Sequence, residues 1–482
     1  MAKSIKRNFL YNILLNISKV IFPLITAPYV SRVLEPDGVG LFNFANTYAH
    51  YFSLFAALGI PYYGIREIAK IKDNQQEQTR FVSEIISIST IATILCTVLM
   101  LLSLLFIPML NENYLIFLVA STVLYITPFR IDWFFSGKEE FGYITFRSLV
   151  IKTLSVVLLF LLVHDKNDLL LYVTLNAGCQ VLNELWNFVK LYKLGIHPRF
   201  TLSGKRHVKP LLILFSSSIA ISIYTILDTL MLGFMTNYEE VGYYNCATHI
   251  SKALLPVVTS LAAVALPRVA QLKESGNWNE INVLMNKSFS IVSFLSFPIA
   301  FGVIAIAPVF TPLFFGEQYD GTIVPLQIII LTVVAIGFNN LTGIQILLGF
   351  GFDKLFLYSI LSGACTNFVL NLVLIPRYGA SGAAAASVIA EVLILSVMLY
   401  FVHRHTPIRF GSMGFREMIL DLVVSSMFFA ITYILQNAVK GWIFVILAFL
   451  TCLCFYMTSQ QLLKNSSQKL IVNSLRSKLK SE

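Results

Sequence analysis

The chain has 482 residues, of which 57% are hydrophobic and 12% are charged, and its formal net charge is +10. Soluble domains carry about twice this share of charged residues, so the composition excludes an ordinary soluble enzyme and favours a polytopic membrane protein. No loop is long enough for a nucleotide-binding domain and no GxxxxGK motif occurs, so we do not expect ATP to drive the protein directly.

Apolar segments bounded by charged and turn-forming residues follow one another along the chain. A helix of about 20 apolar residues spans a bilayer, and helices satisfy their own backbone hydrogen bonds there. We therefore predict an all-α integral membrane protein with about 14 transmembrane helices. The predicted helices lie near 9–31, 39–63, 81–108, 114–135, 141–163, 168–190, 210–235, 241–267, 283–310, 323–348, 355–376, 379–402, 417–437 and 441–461.

Basic residues outside these segments are distributed unevenly between alternate loops. Most fall at the two termini and in the loops on the same side of the membrane, which predicts cytoplasmic N- and C-termini. The positive charge is then a property of the cytoplasmic face, where it contacts anionic membrane lipids, and it does not indicate nucleic-acid binding. The opposite loops contain only Arg32, Lys166, Arg377 and Lys440.

A weak internal repeat divides the chain. Residues 1–203 and 204–403 form two predicted six-helix bundles that enter the membrane in the same sense, followed by two extra helices and a basic tail in 404–482. The pseudo-axis of such a parallel repeat runs along the membrane normal. The clearest correspondence pairs Val39, Gly40, Asn43 and Ala45 with Val241, Gly242, Asn245 and Ala247.

Four basic residues lie inside apolar segments. Lys19, Lys152 and Lys252 each lie about 15 Å from the polar end of a segment, near the bilayer midplane, and Arg147 shares the segment of Lys152. A cation at this depth is costly unless it faces protein or water, so these residues point to a path for an anion such as a diphosphate.

Two alternatives remain open for these cations. A lysine can pair permanently with an acid, for which Asp228, Glu184 and Glu391 are available. Arg147 lies near the start of its helix and can extend its guanidinium to the cytoplasmic face.

Amide side chains in the apolar segments are candidates for binding sugar hydroxyls, because each can donate and accept hydrogen bonds. Hydrogen bonding between helices is the alternative explanation. The strongest candidates are Asn340, Gln345, Asn367 and Asn371, and further amides are Asn12, Asn16 and Asn176.

Residues at the ends of the segments are candidates for gating. Arg66 and Arg268 lie at corresponding cytoplasmic ends, where they either anchor the topology or admit substrate. Arg32 lies at the outer end of the first helix and is a candidate gate. Pro23 and Pro28 remove backbone hydrogen bonds within that helix and are candidate hinges.

Four titratable residues are candidates for binding a coupling H⁺ or Na⁺: Asp228, Glu391, His50 and His249. The alternative is that the histidines are hydrogen bonded inside the helix bundle. We predict no catalytic residues, no metal site and no other cofactor, because the six cysteines lie in apolar segments without zinc-ligand spacing.

An ordered set of short motifs spans about residues 5–400. In chain order it comprises Pro23, Pro28, Gly38, Gly40 and the sequence GIRE at 64–67, DWFFSGKE at 132–139 with Arg147 and Lys152, Asp228 with VGYYN at 241–245 and Lys252, and Asn340, Gln345, Asn367, Asn371, Pro376 and 379–386. This set resembles the bacterial polysaccharide and O-antigen flippases of the multidrug/oligosaccharidyl-lipid/polysaccharide (MOP) superfamily.

The resemblance implies a V-shaped alternating-access transporter in the bacterial cytoplasmic (inner) membrane. Its substrate would be an undecaprenyl-pyrophosphate-linked oligosaccharide, flipped to the outer leaflet for O-antigen, capsule or exopolysaccharide biosynthesis. The implied partners are membrane lipids, a polysaccharide polymerase and the chain-length machinery.

Two other functions remain as alternatives. A cation-coupled multidrug exporter of the same superfamily is the first, although such a protein would need acidic cavity residues without matching lysines. An integral-membrane glycan polymerase or ligase is the second, and the short outer loops, which hold few charges, argue against it.

Overall fold

The computed structural model describes residues 5–274, 276–409, 411–465 and 467–468. Within these ranges the side chains of 5, 6, 9, 216–225, 260–268, 270, 274, 412 and 413 lie outside the description. Arg268, a predicted gating residue, is therefore outside the described side chains.

Helices make up all the regular secondary structure of the described residues, and the prediction of an all-α membrane protein is confirmed. They are α1 Ile5–Ala57, α2 Ile60–Lys70, α3 Gln75–Phe106, α4 Pro108–Asn111, α5 Tyr114–Ala120, α6 Thr122–Tyr125, α7 Asp132–Gly137, α8 Phe141–Leu162, α9 Leu169–Lys193, α10 Lys205–Met235, α11 Tyr238–Glu274, α12 Trp278–Phe315, α13 Ile323–Ile329, α14 Leu331–Asn339, α15 Asp353–His405, α16 Ser412–Ser426, α17 Phe428–Ala438 and α18 Gly441–Leu462. A π-helical segment, Asn340–Leu348, follows α14, and short 3₁₀ segments are Thr127–Phe129, Lys166–Asp168 and Glu317–Thr322.

Eight helical runs among the described residues are long and apolar enough to cross a membrane. Shorter apolar helices lie at Tyr114–Phe129 and Ile226–Met235. The architecture is therefore that of a multi-pass membrane protein, whereas the count of about 14 spans stays a prediction.

Two of the longest helices contain a break between predicted segments. In α1 the break is at Glu35, whose φ of 58° and ψ of 172° are non-helical. Pro36 follows, and a proline disfavours the helical conformation of the residue before it. In α15 the break is at Gly379, with a φ of 51° that glycine adopts without steric cost.

The backbone around Pro23 and Pro28 keeps helical dihedral angles, and Glu35 is the residue of α1 with non-helical angles. The hydroxyl of Thr26 donates a hydrogen bond to the carbonyl of Phe22 at 3.1 Å, within the proline-containing turn. A hinge at the two prolines therefore stays a prediction.

The first of two compact units comprises Met1–Gly233 and Asn237–Gly242. Backbones approach closely at two glycines of the predicted repeat, because a Cβ on Gly40 would overlap the carbonyl of Tyr238 and one on Gly242 would overlap that of Pro36. The predicted repeat motif thus lies where α1, just after its break, touches the start of α11 through backbone atoms. The domain boundary near residue 203, inferred from the repeat, stays a prediction.

An aromatic core holds α2, α3 and α7 together in the same unit. Phe81 of α3 lies edge-on to Trp133 of α7, with ring centroids 5.9 Å apart and planes at 87°. Both side chains are buried. Gly64 of α2 lies directly against the indole, so a side chain there would overlap the ring of Trp133.

The second unit comprises Phe234–Thr236 and Tyr243–Glu482. In it, α16 and α18 pack on α12 around the buried carboxylate of Asp421. Asp421 accepts hydrogen bonds from Ser293 at 2.6 Å and from three groups of the C-terminal helices and the turn after them: Tyr456 at 3.0 Å, Gln460 at 2.9 Å and Asn465 at 3.1 Å. The final helices are therefore fixed to α12 by a satisfied polar cluster.

The contact between Gly64 and Trp133 predicts a stability difference between two glycine substitutions. We expect Gly64→Ala to lower the unfolding free energy by about 1–3 kcal/mol, because the methyl group overpacks the aromatic core. Gly178→Ala is the matched control, since no atom lies within 4 Å of its Cβ position in α9 and alanine favours a helix. Unfolding in detergent measures both, and an equal effect of the two substitutions would contradict the packing argument.

Candidate functional site

A polar stripe runs along one face of α1. Lys19 donates from Nζ to the Oδ1 of Asn16 at 3.2 Å, and Asn16 donates from Nδ2 to the Oδ1 of Asn12 at 3.3 Å. All three side chains are exposed. Their spacing of three and four residues places them one above another on the helix.

Lys152 of α8 extends this stripe. Its Nζ donates to the Oγ of Ser18 at 2.9 Å and lies 5.7 Å from the centroid of the Phe22 ring. Lys19 is near enough for the two ammonium groups to repel each other. Because no described carboxylate lies within ion-pair distance of either lysine, the pair forms a local positive potential inside apolar helices.

Arg147 is in a different situation from the two lysines. Its side chain is 2% exposed and donates to Asp132 at 2.7 Å and to the Oδ1 of Asn187. Asn187 also donates to Asp132 at 3.0 Å and to Glu184 at 2.9 Å. The guanidinium is therefore paired with a carboxylate in this structure, and the aromatic face of Tyr143 lies 5.6 Å away.

The second unit contains a buried chain of hydrogen bonds formed by the predicted amides. Asn371 donates to the Oδ1 of Asn367 at 3.1 Å, and Asn367 donates to the hydroxyl of Ser387 at 3.5 Å. The hydroxyl of Tyr244 is 3.4 Å from the same Ser387 oxygen. The structure thus brings Asn367 and Asn371 together and adds two hydroxyl side chains that the sequence analysis did not select.

A second polar group surrounds Glu391. The carboxylate of Glu391 is buried and accepts a hydrogen bond of 2.6 Å from the Nδ2 of Asn339. Asn339 is the residue before the predicted Asn340, whose own amide donates to the carbonyl of Ile336. The sequence signal for Asn339 is its position beside Asn340 in the same apolar segment, but the sequence analysis names only Asn340 as a candidate.

Gln345 lies in the π-helical segment, and π-helices are frequent at functional sites. Its side chain is 1% exposed, and its Oε1 accepts no hydrogen bond from the described residues. The Oδ1 of Asn339 is likewise without a described donor. Two buried amide oxygens of one helical segment are thus available to a further donor or cation.

The remaining titratable candidates interact with other charged or aromatic side chains. In the first unit, His50 is exposed and close enough to Arg130 for their charges to interact, and Asp228 is buried near the phenol of Tyr51. In the second unit, His249 and Lys252 are both exposed and near each other on α11.

The predicted gating arginines occupy helix ends. Arg32 is exposed just before the break in α1. Arg66 is exposed and forms an ion pair with Glu67 at 2.9 Å. Burial raises the pKa of Glu67, but hydrogen bonds from Lys70 and Arg66 outweigh it, so this pKa lies below its usual value.

Comparison with known proteins identifies a family and a fold. Residues 5–273 match the family model described as polysaccharide biosynthesis protein. The chain is 26% identical over 417 residues to a protein of Escherichia coli (strain K12) named "Putative O-antigen transporter", covering 83% of this chain and 97% of the relative. A protein of Shigella dysenteriae with the same name is 23% identical over 82% of this chain and 99% of its own length.

Two solved structures share the fold. One, the inward closed conformation of the lipid II flippase MurJ, has a TM-score of 0.70 and 15% identity over 94% of this chain and 98% of its own. The other, an inward-facing MATE family transporter of the MOP superfamily, has a TM-score of 0.58 and 15% identity over 80% and 94%.

In the ion pair of Arg147 and Asp132 the arginine side chain is buried and the aspartate side chain is half-exposed, and this difference predicts that loss of Asp132 lowers stability. Removal of Asp132 leaves a buried guanidinium without its carboxylate, so we expect Asp132→Ala to lower the unfolding free energy by about 3 kcal/mol. Asp73→Ala replaces an exposed turn residue and should change it by less than about 0.5 kcal/mol. Reversible unfolding in mixed micelles measures both. A similar small change for Asp132→Ala would show that the ion pair contributes nothing to stability.

Proposed function

The chain belongs to the polysaccharide biosynthesis protein family, and from this premise we propose that it is a flippase for lipid-linked oligosaccharides. The proposed substrate is an undecaprenyl-pyrophosphate-linked repeat unit, moved from the cytoplasmic to the outer leaflet of the bacterial inner membrane during surface polysaccharide biosynthesis. The names of the relatives, O-antigen transporter and lipid II flippase, support this assignment.

The observation that carries the proposal is the pair Lys19 and Lys152. A polyprenyl-pyrophosphate glycan has a strongly anionic linkage that cannot cross hydrocarbon unaided, whereas its tail can remain in lipid. Two ammonium groups without a described carboxylate partner provide compact charges for a diphosphate. Arg147 would join them only if its pair with Asp132 opened.

The glycan would need hydrogen-bonding groups rather than charge. The chain of Tyr244, Ser387, Asn367 and Asn371 offers hydroxyl and amide groups that both donate and accept. We assign it to sugar recognition within the second unit. Alternating access, by rocking of two parallel repeats, is the corresponding transport mechanism, with hinges at Pro23 and Pro28 and gates at Arg32, Arg66 and Arg268.

Flipping of a fluorescent polyprenyl-pyrophosphate oligosaccharide in proteoliposomes tests this function. Lys152→Gln and Lys19→Gln should each slow flipping at least about tenfold, because a hydrogen bond between charged groups contributes about 1.5–3 kcal/mol. Lys152→Arg should retain part of the rate, since it keeps the charge. Lys193→Gln, at an exposed lysine on the last turn of α9, is the matched control.

Two outcomes would contradict the proposal. Unchanged flipping in well-folded Lys19→Gln and Lys152→Gln variants would remove the lysines from the site. A wild-type protein that moves no glycolipid under imposed pH, Na⁺ or voltage gradients, but exports small organic cations, would be a multidrug exporter.

For the driving force we propose a coupling cation, H⁺ or Na⁺, bound at Glu391. This buried carboxylate has an amide partner in Asn339 and no basic partner within ion-pair distance among the described side chains, so a cation is the missing compensation. In Glu391→Gln, flipping should no longer depend on an imposed pH or Na⁺ gradient. Glu317→Gln, at an exposed position, should keep the gradient dependence of the wild type. Retained gradient dependence in Glu391→Gln would assign coupling to another group.

A further inference from the structure

A long apolar groove in the first unit is lined by none of the predicted site residues. Its volume is about 800 Å³, and its walls are the end of the α1 helix, the middle of α3, the linker before α10 and the first turns of α10. The lining side chains are aliphatic or aromatic apart from Cys96, Thr201 and Lys205.

The groove has the length of one leaflet. Along α3 it extends from Ile88 to Leu99, which is about 16 Å at 1.5 Å per residue. Half of the hydrocarbon core is about 15 Å thick. Ile88 lies beside Gly204 of the linker. The linker is predicted to be cytoplasmic, so we call this end the surface end of the groove.

Positive charge is found at the surface end of the groove. Lys205 lines it, and Lys209 follows one helical turn later, with both side chains exposed. No carboxylate among the described side chains lies within ion-pair distance of either lysine. The apolar walls therefore suit a hydrocarbon chain, and the two ammonium groups suit an anionic headgroup at its end.

The α10 wall is held in place by an ionic cluster around the buried carboxylate of Glu84. The carboxylate of Glu84, 1% exposed, accepts hydrogen bonds from Arg206 at 2.8 Å and Arg80 at 3.0 Å, and the ring of His207 lies 2.7 Å from it. Arg206 and His207 alternate with the groove residues Lys205 and Val208 on the first turns of α10. The groove is thus a fixed feature of the unit, since its α10 wall is bonded to α3.

We propose that this groove binds one acyl chain of an anionic glycerophospholipid from the leaflet facing the basic linker, with its phosphate on Lys205. The chain fills the space between α3 and α10, and the headgroup neutralises the two lysines. This lipid site is independent of the proposed transport function.

Photo-cross-linking of the full-length protein in nanodiscs tests the proposal. Phosphatidylglycerol with a photoreactive acyl chain should label peptides of residues 88–99 about fivefold more than the matching phosphatidylcholine, and Lys205→Gln should remove most of this preference, as expected for one basic residue at a surface. Lys193→Gln should retain it. Leu95→Trp fills the groove and should abolish labelling there, whereas Leu105→Trp, another exposed α3 leucine, should not.

Two results would overturn the proposal. Equal labelling by the two lipids, unchanged in Lys205→Gln, would show that the groove has no preference for an anionic headgroup. Displacement of phosphatidylglycerol by an equal fraction of polyprenyl phosphate would assign the groove to a polyprenyl tail instead. Each variant is first checked for an unchanged elution volume in size-exclusion chromatography, so that loss of labelling reports binding and not misfolding.

Discussion

Hydrocarbon offers no hydrogen-bond partners, and this constraint explains the helical backbone, the residues at the helix breaks and the partners of buried carboxylates. The backbone is helical in every long apolar segment because a helix satisfies its own polar groups. Where the helices break, at Glu35 and Gly379, a proline follows or a glycine provides the required dihedral angles. Two buried carboxylates obey the same rule, since Asp421 accepts four hydrogen bonds and Glu84 is surrounded by Arg80, Arg206 and His207.

Against this background the cations of the first unit are unequal. Arg147 is buried and bonded to Asp132 and Asn187, an arrangement that stabilises the fold without leaving charge for a ligand. Lys19 and Lys152 have an amide and a hydroxyl as partners, and these groups do not neutralise them. The basic residues of α1 and α8 are therefore of two kinds, one neutralised by a carboxylate and one with neutral partners.

The sequence was sufficient for the all-α membrane architecture, because apolar segments of membrane-spanning length are distinctive, whereas the count of spans and the roles of the lysines, Asn367 and Asn371 stay predictions. The sequence did not predict which groups form hydrogen bonds or ion pairs with these residues. The bond between Arg147 and Asn187 joins residues 40 positions apart, and that between Glu84 and Arg206 joins residues 122 positions apart, so neither pair follows from the pattern within one helix. The sequence predicts separate helices near 9–31 and 39–63, whereas α1 resumes directly after Glu35, because charged and turn-forming residues signal an interruption without fixing its length. The role of each predicted site residue in transport stays a prediction.

The contact at Gly40 and Gly242 has a consequence for how a duplicated sequence can diverge. Each glycine belongs to one copy of the predicted repeat and lies against backbone of the other copy, Gly40 against Tyr238 and Gly242 against Pro36. A larger residue in either copy would meet a carbonyl that no change of side chain can move away. The two predicted halves could therefore diverge in sequence at nearly every other position and still keep this glycine motif as evidence of a common origin.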